Sequence, residues 1–231
     1  LPEKENHVFC AAYRADEFPE LLQYADHIVF NSPRQLAKFG PAAKAAGKSV
    51  GLRVNPECST QEGHAIYDPC APGSRLGTTR AQWDAAVAAH PELPELLDGL
   101  HFHTLCEQDA DALAVTLKAV EATFGDLLPK MKWVNFGGGH HVTRPGYDLA
   151  TLEQCICQVQ AKYGVRVYLE PGEAWALNAG YLVTTVLDTL CNGDTSLAIL
   201  DTSAACHTPD VIEMPYRPPL LDAGEPGEKP C

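Results

Sequence analysis

Two histidines, His101 and His103, stand two residues apart in the apolar run Gly99-Leu100-His101-Phe102-His103. In an extended strand alternate side chains share a face, so both imidazoles point one way and Phe102 the other. Such a pair can ligate a metal, one of its rings can stack on a planar cofactor, or both can be hydrogen-bonded core imidazoles. Three glycines, Gly137 to Gly139, directly follow a second apolar run. Backbone without Cβ atoms can approach a phosphate there and aim N–H groups at it. No Gly-Lys-Ser/Thr follows and the G-x-G-x-x-G spacing is missing, so a plain tight turn is the competing reading. Glu170-Pro171-Gly172-Glu173 ends a third run with a carboxylate, which either keeps a ring nitrogen protonated or pairs with a surface arginine. Arg53, Asn55, Cys106, Glu107, His140 and His141 complete the polar groups at such run ends.

These groups need a scaffold that gathers run ends. His7 to Tyr13, His27 to Asn31, Val50 to Val54, Leu100 to Thr104, Trp133 to Phe136 and Val165 to Leu169 are short and nearly continuously apolar, as strands buried on both faces are. Helical patterning lies between them, over Glu17 to Tyr24, Pro33 to Ala46, Arg80 to Ala89, Ala110 to Phe124 and Leu152 to Tyr163. The alternation predicts an α/β fold, doubly wound or a (β/α)8 barrel. In both, functional groups collect at the carboxyl ends of the strands.

After Gly172 the helical period stops, and Tyr181 to Leu190 with Leu197 to Leu200 reads as β-rich. The expected division is 1–174 for a partial barrel and 175–231 for the beginning of a β domain. A complete barrel takes about 250 residues and eight strands, so sequence beyond both ends is expected.

Composition narrows the function classes. The 231 residues are 45% hydrophobic and 20% charged, with 17 Lys and Arg against 30 Asp and Glu, a formal charge of −13. That is globular composition, with a surface that repels nucleic acid and anionic membranes and suits a cationic small molecule. No apolar run is long enough to span a bilayer. Nine irregularly spaced cysteines fit reduced thiols in a cytoplasmic protein better than a disulfide framework or a zinc site.

Leu52-Arg53-Val54-Asn55-Pro56, Ser74-Arg75-Leu76-Gly77, Gly99 to His103, Asn135 to Gly139 and Leu169 to Ala174 resemble, in order and spacing, the fold-type-III pyridoxal-phosphate decarboxylases, which share the alanine-racemase barrel. Ala25 to Ser32 and the segment Cys206 to Pro218, which includes Asp210 and Met214, make the chain most similar to the carboxynorspermidine and carboxyspermidine decarboxylase branch. The resemblance spans nearly the whole chain. It implies α-decarboxylation of a carboxylated triamine in polyamine biosynthesis, pyridoxal 5'-phosphate as cofactor, no metal, and a homodimer.

The resemblance further implies that His103 stacks on the pyridine ring, that Gly138, Gly139 and Gly172 belong to the cofactor site, and that Glu170 bonds the ring nitrogen. Ornithine-decarboxylase-like members read Glu-Pro-Gly-Arg where this chain has Glu173. The substitution exchanges a cation for a carboxylate, and Glu173 and Asp210 become candidates for substrate ammonium groups. The Schiff-base lysine is expected outside the chain, because none of Lys4, Lys38, Lys44, Lys48, Lys118, Lys130, Lys132, Lys162 and Lys229 follows the carboxyl end of a strand. The catalytic cysteine is expected beyond Cys231, which is not assigned that role, and the chain alone is expected to be inactive. Two alternatives stay open: a metal-dependent barrel hydrolase using the His-x-His pair, and an inactive homologue that binds the cofactor.

Overall fold

The six apolar runs form one all-parallel sheet in the computed structural model, which describes residues 4–61, 68–213 and 215–222. Met214, Lys229 and Cys231 lie outside the described residues. The strands are β1 (His7–Cys10), β2 (His27–Phe30), β3 (Ser49–Arg53), β4 (Gly99–His101), β5 (Trp133–Asn135) and β6 (Arg166–Tyr168), side by side in chain order. Helices α1 (Phe18–Tyr24), α2 (Pro33–Ala45), α3 (Arg80–Ala89), α4 (Ala110–Phe124) and α5 (Leu149–Tyr163) alternate with them, giving the expected α/β architecture.

Most strands stop short of the apolar runs that announced them. Phe102, Leu105 and Phe136 lie past strand ends yet are fully buried, and the Phe102 and Phe136 N–H groups still donate to the neighbouring strands, to the Asn135 and Tyr168 carbonyls at 2.9 Å each. Helix α5 begins three residues before Leu152, because the Asp148 side chain accepts the Thr151 N–H at 3.0 Å and caps the first turn. Thr79 and Gln82 form a reciprocal capping box that starts α3 where the pattern placed it.

The sheet curls. Side chains of its two edge strands meet across the concave face, where the His7 and Tyr168 rings lie 4.5 Å apart and the Tyr168 hydroxyl donates to Glu5 at 2.8 Å. Phe9 on β1 reaches across to the buried Arg53, whose guanidinium sits 4.7 Å over its ring. A large side chain fills the lower interior: Trp133 lies over Gly51 and Gly99, and a Cβ at either glycine would collide with its indole. At the amino ends of the strands Asp98, nearly buried, accepts Lys44 at 2.6 Å, Lys132 at 2.8 Å and the Val50 N–H at 3.0 Å. This clasp ties α2 to the approaches of β3, β4 and β5, beside a cavity of about 470 Å³.

Compactness divides the chain into Leu1–Leu177 and Asn178–Cys231. The first unit also holds a single-turn helix, α6 (Gly172–Ala176), where the sequence pattern had suggested none. In the second unit β7 (Val186–Asn192) and β8 (Thr195–Leu200) form an antiparallel hairpin, followed by the single turns α7 (Ala204–His207) and α8 (Asp210–Glu213). The strand expected over Tyr181 to Leu190 starts later and runs to Asn192, because Gly193 takes the positive φ (60°) that a two-residue hairpin loop needs. Gly193 and Asp194 are the two central residues of that turn, with the glycine in the first position.

Candidate active site

Parallel register aligns Arg53, His101 and Asn135 on neighbouring strands. Partners in register point to one face, so a cation, an imidazole and an amide converge at the carboxyl ends of β3, β4 and β5. Glu170 enters from the end of β6 and is held at both oxygens: His101 Nε2 lies 3.2 Å from Oε2, and Asn135 Nδ2 donates to Oε1 at 2.8 Å. Asn135 also accepts the Gly137 N–H at 2.8 Å, while the Glu170 N–H donates to the Gly137 carbonyl at 2.8 Å. One amide side chain therefore fixes the carboxylate and the glycine turn together.

The electrostatics follow from this geometry. Burial pushes the Glu170 carboxyl up, but the hydrogen bond and charge of His101, the Asn135 bond and His103 outweigh it and hold it at about 2. Burial lowers His101 despite Glu170. A charged His101 as the source of the Glu170 shift conflicts with that lowering, and a neutral Nε2–H tautomer donating to the carboxylate satisfies both observations. The buried Nδ1 of His101, which has no partner, then carries the lone pair. Burial, then Arg53 and His101, lowers His103 to about 4, so its ring is neutral at pH 7. Burial lowers Arg53 to about 10, leaving it a cation in the field of Glu170.

His103 stands beyond the end of β4, yet its ring comes back to the glycine turn, with the Gly138 N–H 3.4 Å from Nδ1. The turn has no room for side chains. A Cβ at Gly138 would lie 2.7 Å from the Glu170 carbonyl and one at Gly137 would lie 2.6 Å from the His103 Cβ. At Gly139, with φ of +80°, a Cβ would strike the Leu105 carbonyl. Gly172 differs: nothing lies within 4 Å of its Cβ position, and its N–H donates to the Glu170 carbonyl at 2.8 Å.

His103, Gly138, Gly139 and Glu170 are thus brought to one place. Glu173 lies on α6, its Oε2 3.2 Å from Nε2 of His141. Asp210 belongs to the second unit, where it accepts the Tyr216 hydroxyl at 2.7 Å. Sequence reasoning missed Asn135 and the contact of His101 with Glu170. The equal placing of Arg53, His101 and Asn135 at strand ends was their only sequence signal. Among the described residues no lysine lies at the carboxyl ends of the strands; Lys44 and Lys132 are held at the opposite pole by Asp98.

An ionised carboxylate, a flat neutral imidazole and a side-chain-free turn suit a phosphorylated pyridine ring: Glu170 for a protonated ring nitrogen, His103 for a face, Gly138 and Gly139 for the phosphate. His101, His103 and Glu170 also each offer a ligand atom within 4.8 Å of the others, the arrangement a metal ion would use.

No family model matches the chain. A carboxynorspermidine/carboxyspermidine decarboxylase of Campylobacter jejuni is 44% identical over 221 residues, covering 96% of this chain and 55% of that protein. A carboxyaminopropylagmatine decarboxylase of Synechocystis is 39% identical over 224 residues, covering 96% and 56%. The crystal structure of carboxynorspermidine decarboxylase complexed with norspermidine, also from Campylobacter jejuni, superposes with a TM-score of 0.78 at 43% identity, over 93% of this chain and 53% of that one. The chain therefore spans about half the length of the curated relatives it matches. The resemblance carried by the motifs is borne out, as is the α/β fold.

Proposed function

We propose that the protein to which this chain belongs is a pyridoxal-phosphate-dependent decarboxylase that removes the α-carboxyl group of carboxynorspermidine or carboxyspermidine, and that residues 1–174 and 175–231 are parts of its barrel and of its β domain. The observation that carries this reading is Glu170, held ionised at both oxygens by His101 and Asn135 against the glycine turn. The similarity to decarboxylases of carboxylated polyamines supports the substrate class.

Bound at these residues, pyridoxal phosphate supplies an electron sink for the carbanion left when carbon dioxide departs. Glu170 keeps a proton at the ring nitrogen. Asn135 and His101 fix the direction of that carboxylate, and the neutral ring of His103 offers a face without adding charge. The N–H groups of Gly138 and Gly139 receive the phosphate, and Gly172 positions the carbonyl of Glu170. Glu173 and Asp210 meet ammonium groups of the substrate. The lysine that attaches the cofactor and the catalytic cysteine come from outside this chain, so the 231 residues alone are inactive.

A homodimer is proposed on the family resemblance. A reducing, cytoplasmic setting is supported by eight unpaired cysteines among the described residues. Among those residues no helix is long and apolar enough to cross a membrane. The metal geometry of His101, His103 and Glu170 gives a hydrolase as the second reading. Absorbance of bound pyridoxal phosphate and carbon dioxide release from carboxynorspermidine, measured on the full-length protein, test the first. A protein that binds stoichiometric zinc and no pyridoxal phosphate establishes the second.

A further inference from the structure

The amino-end pole of the sheet, opposite the Glu170 site, holds a cavity of about 470 Å³ that the decarboxylase chemistry does not use. Lys48 and Ser49 line it at the entrance of β3, Asp98 ahead of β4 and Lys132 ahead of β5, and Lys44 joins them from the last turn of α2. Strand pairing makes them neighbours, because the Asp98 N–H donates to the Val50 carbonyl and the Lys132 N–H to the Asp98 carbonyl, at 2.7 Å each. Three lysines meet over one small area.

The charge there is opposite to that of the molecule. The chain carries −13 in total, yet these three lysines face the single carboxylate of Asp98, which leaves a local surplus of two positive charges. Burial pushes the Asp98 carboxyl up, but Lys132, Lys44 and the Val50 N–H outweigh it, so it is ionised at neutral pH. Lys44 and Lys132 take one of its oxygens each, at 2.6 and 2.8 Å. Among the described residues Lys48 has no carboxylate within ion-pair distance. Arg166, in the same wall, is offset by Glu5 at 3.5 Å.

Donors outnumber acceptors in the same way. An ammonium has three N–H groups, and Lys44 and Lys132 each give one to Asp98, whose oxygens are both occupied. Ser49 Oγ accepts the Trp133 indole N–H at 2.7 Å, so its own hydrogen is open to a ligand. The carbonyls that end α2 would repel an anion, but the chain satisfies them itself: those of Ala42, Ala43 and Lys44 accept from Ala46, Lys48 and Gly47 at 3.0 Å each.

We propose that this cavity binds the phosphate group of a small molecule, with Lys44, Lys48, Lys132 and Ser49 as its donors. A phosphate monoester carries about two negative charges at neutral pH, which matches the surplus, and its oxygens accept the unused N–H and O–H groups as charge-assisted bonds. The cavity has the size of a small-molecule pocket, and the Trp133 ring in its wall offers a surface to an organic portion. Such a ligand bridges α2 to the entrances of β3 and β5 and stabilises that end of the barrel.

Isothermal titration of sodium phosphate and of phenyl phosphate into the full-length protein saturated with pyridoxal phosphate tests the site. The variants are K48Q, K48Q/K132Q and K118Q, the last an equal charge change on the exposed face of α4. Expected are one phosphate per chain, a Kd raised about tenfold by K48Q and further by the double variant, wild-type affinity in K118Q, and unchanged cofactor absorbance throughout. Melting temperature is expected to rise with phosphate and not with sodium chloride of equal ionic strength. Tighter binding of phenyl phosphate supports an ester as the ligand, and equal binding supports free phosphate. No saturable binding, equal affinities of wild type and K48Q, or chloride binding as strong as that of phosphate overturns the site.

Discussion

Glu170 concentrates the chemistry into one carboxylate, and its neighbours determine what a substitution there does. Asn135 and His101 both donate to it, so Glu170→Gln keeps the shape but brings an amide N–H against one of two donors and removes the charge. In the full-length protein the cofactor is expected to stay bound while turnover falls about a hundredfold or more. Near-normal turnover, measured as carbon dioxide release, would show that Glu170 is not the partner of the ring nitrogen. His103 supplies a pH dependence of stability. Its pKa is depressed to about 4 in the fold from an ordinary 6.5, so the unfolded chain binds more protons between those values. Its contribution is complete above pH 6.5 and is lost as pH falls toward 4. Urea midpoints taken from pH 7 to pH 4 are expected to drop more steeply for wild type than for His103→Gln. Parallel curves would sink the assignment.

At the scale of elements, the turn between β5 and α5 is the feature most constrained by sequence. Gly139→Ala adds a Cβ that strikes the Leu105 carbonyl, at a φ of +80°, and is expected to cost about 2 kcal/mol or more. Gly172→Ala meets nothing within 4 Å and is expected to change stability by less than about 0.5 kcal/mol. Thermal melts of the two variants, with pyridoxal-phosphate affinity for the first, check the contrast; equal melting temperatures would contradict it. The six strands and five helices were legible because apolar runs buried on both faces alternate with amphipathic ones. Their ends were less so, since Phe102 and Phe136 are as buried past the strands as residues within them. At the site, residue type and position at run ends gathered the candidates, and the resemblance to the decarboxylases singled out His103, Gly138 and Glu170 among them. Asn135 could not be ranked that way, because its importance is a bond to a residue on another strand, and one-dimensional spacing does not encode register between β5 and β6.

Taken whole, the molecule contrasts a dry sheet with a wet hairpin. In β2 every residue is buried, whereas all seven residues of β7 are exposed. Tyr181 and Val183 are 86% and 88% exposed, and Leu187 64%. A two-stranded hairpin alone is marginally stable in water, because it has no second layer on which to bury a face. Local opening of such a segment costs far less free energy than global unfolding. Native-state hydrogen exchange on the 231-residue chain is therefore expected to show amides of Val186–Leu200 with little protection, while those of Val50 and Leu52, inside β3, exchange only by global unfolding. The exposed apolar side chains of this segment, Tyr181, Val183 and Leu187 among them, are expected to bind a hydrophobic fluorescent dye. Hairpin amides as protected as those of β3, together with no dye binding, would mean that the exposed faces of β7 and β8 are covered in solution.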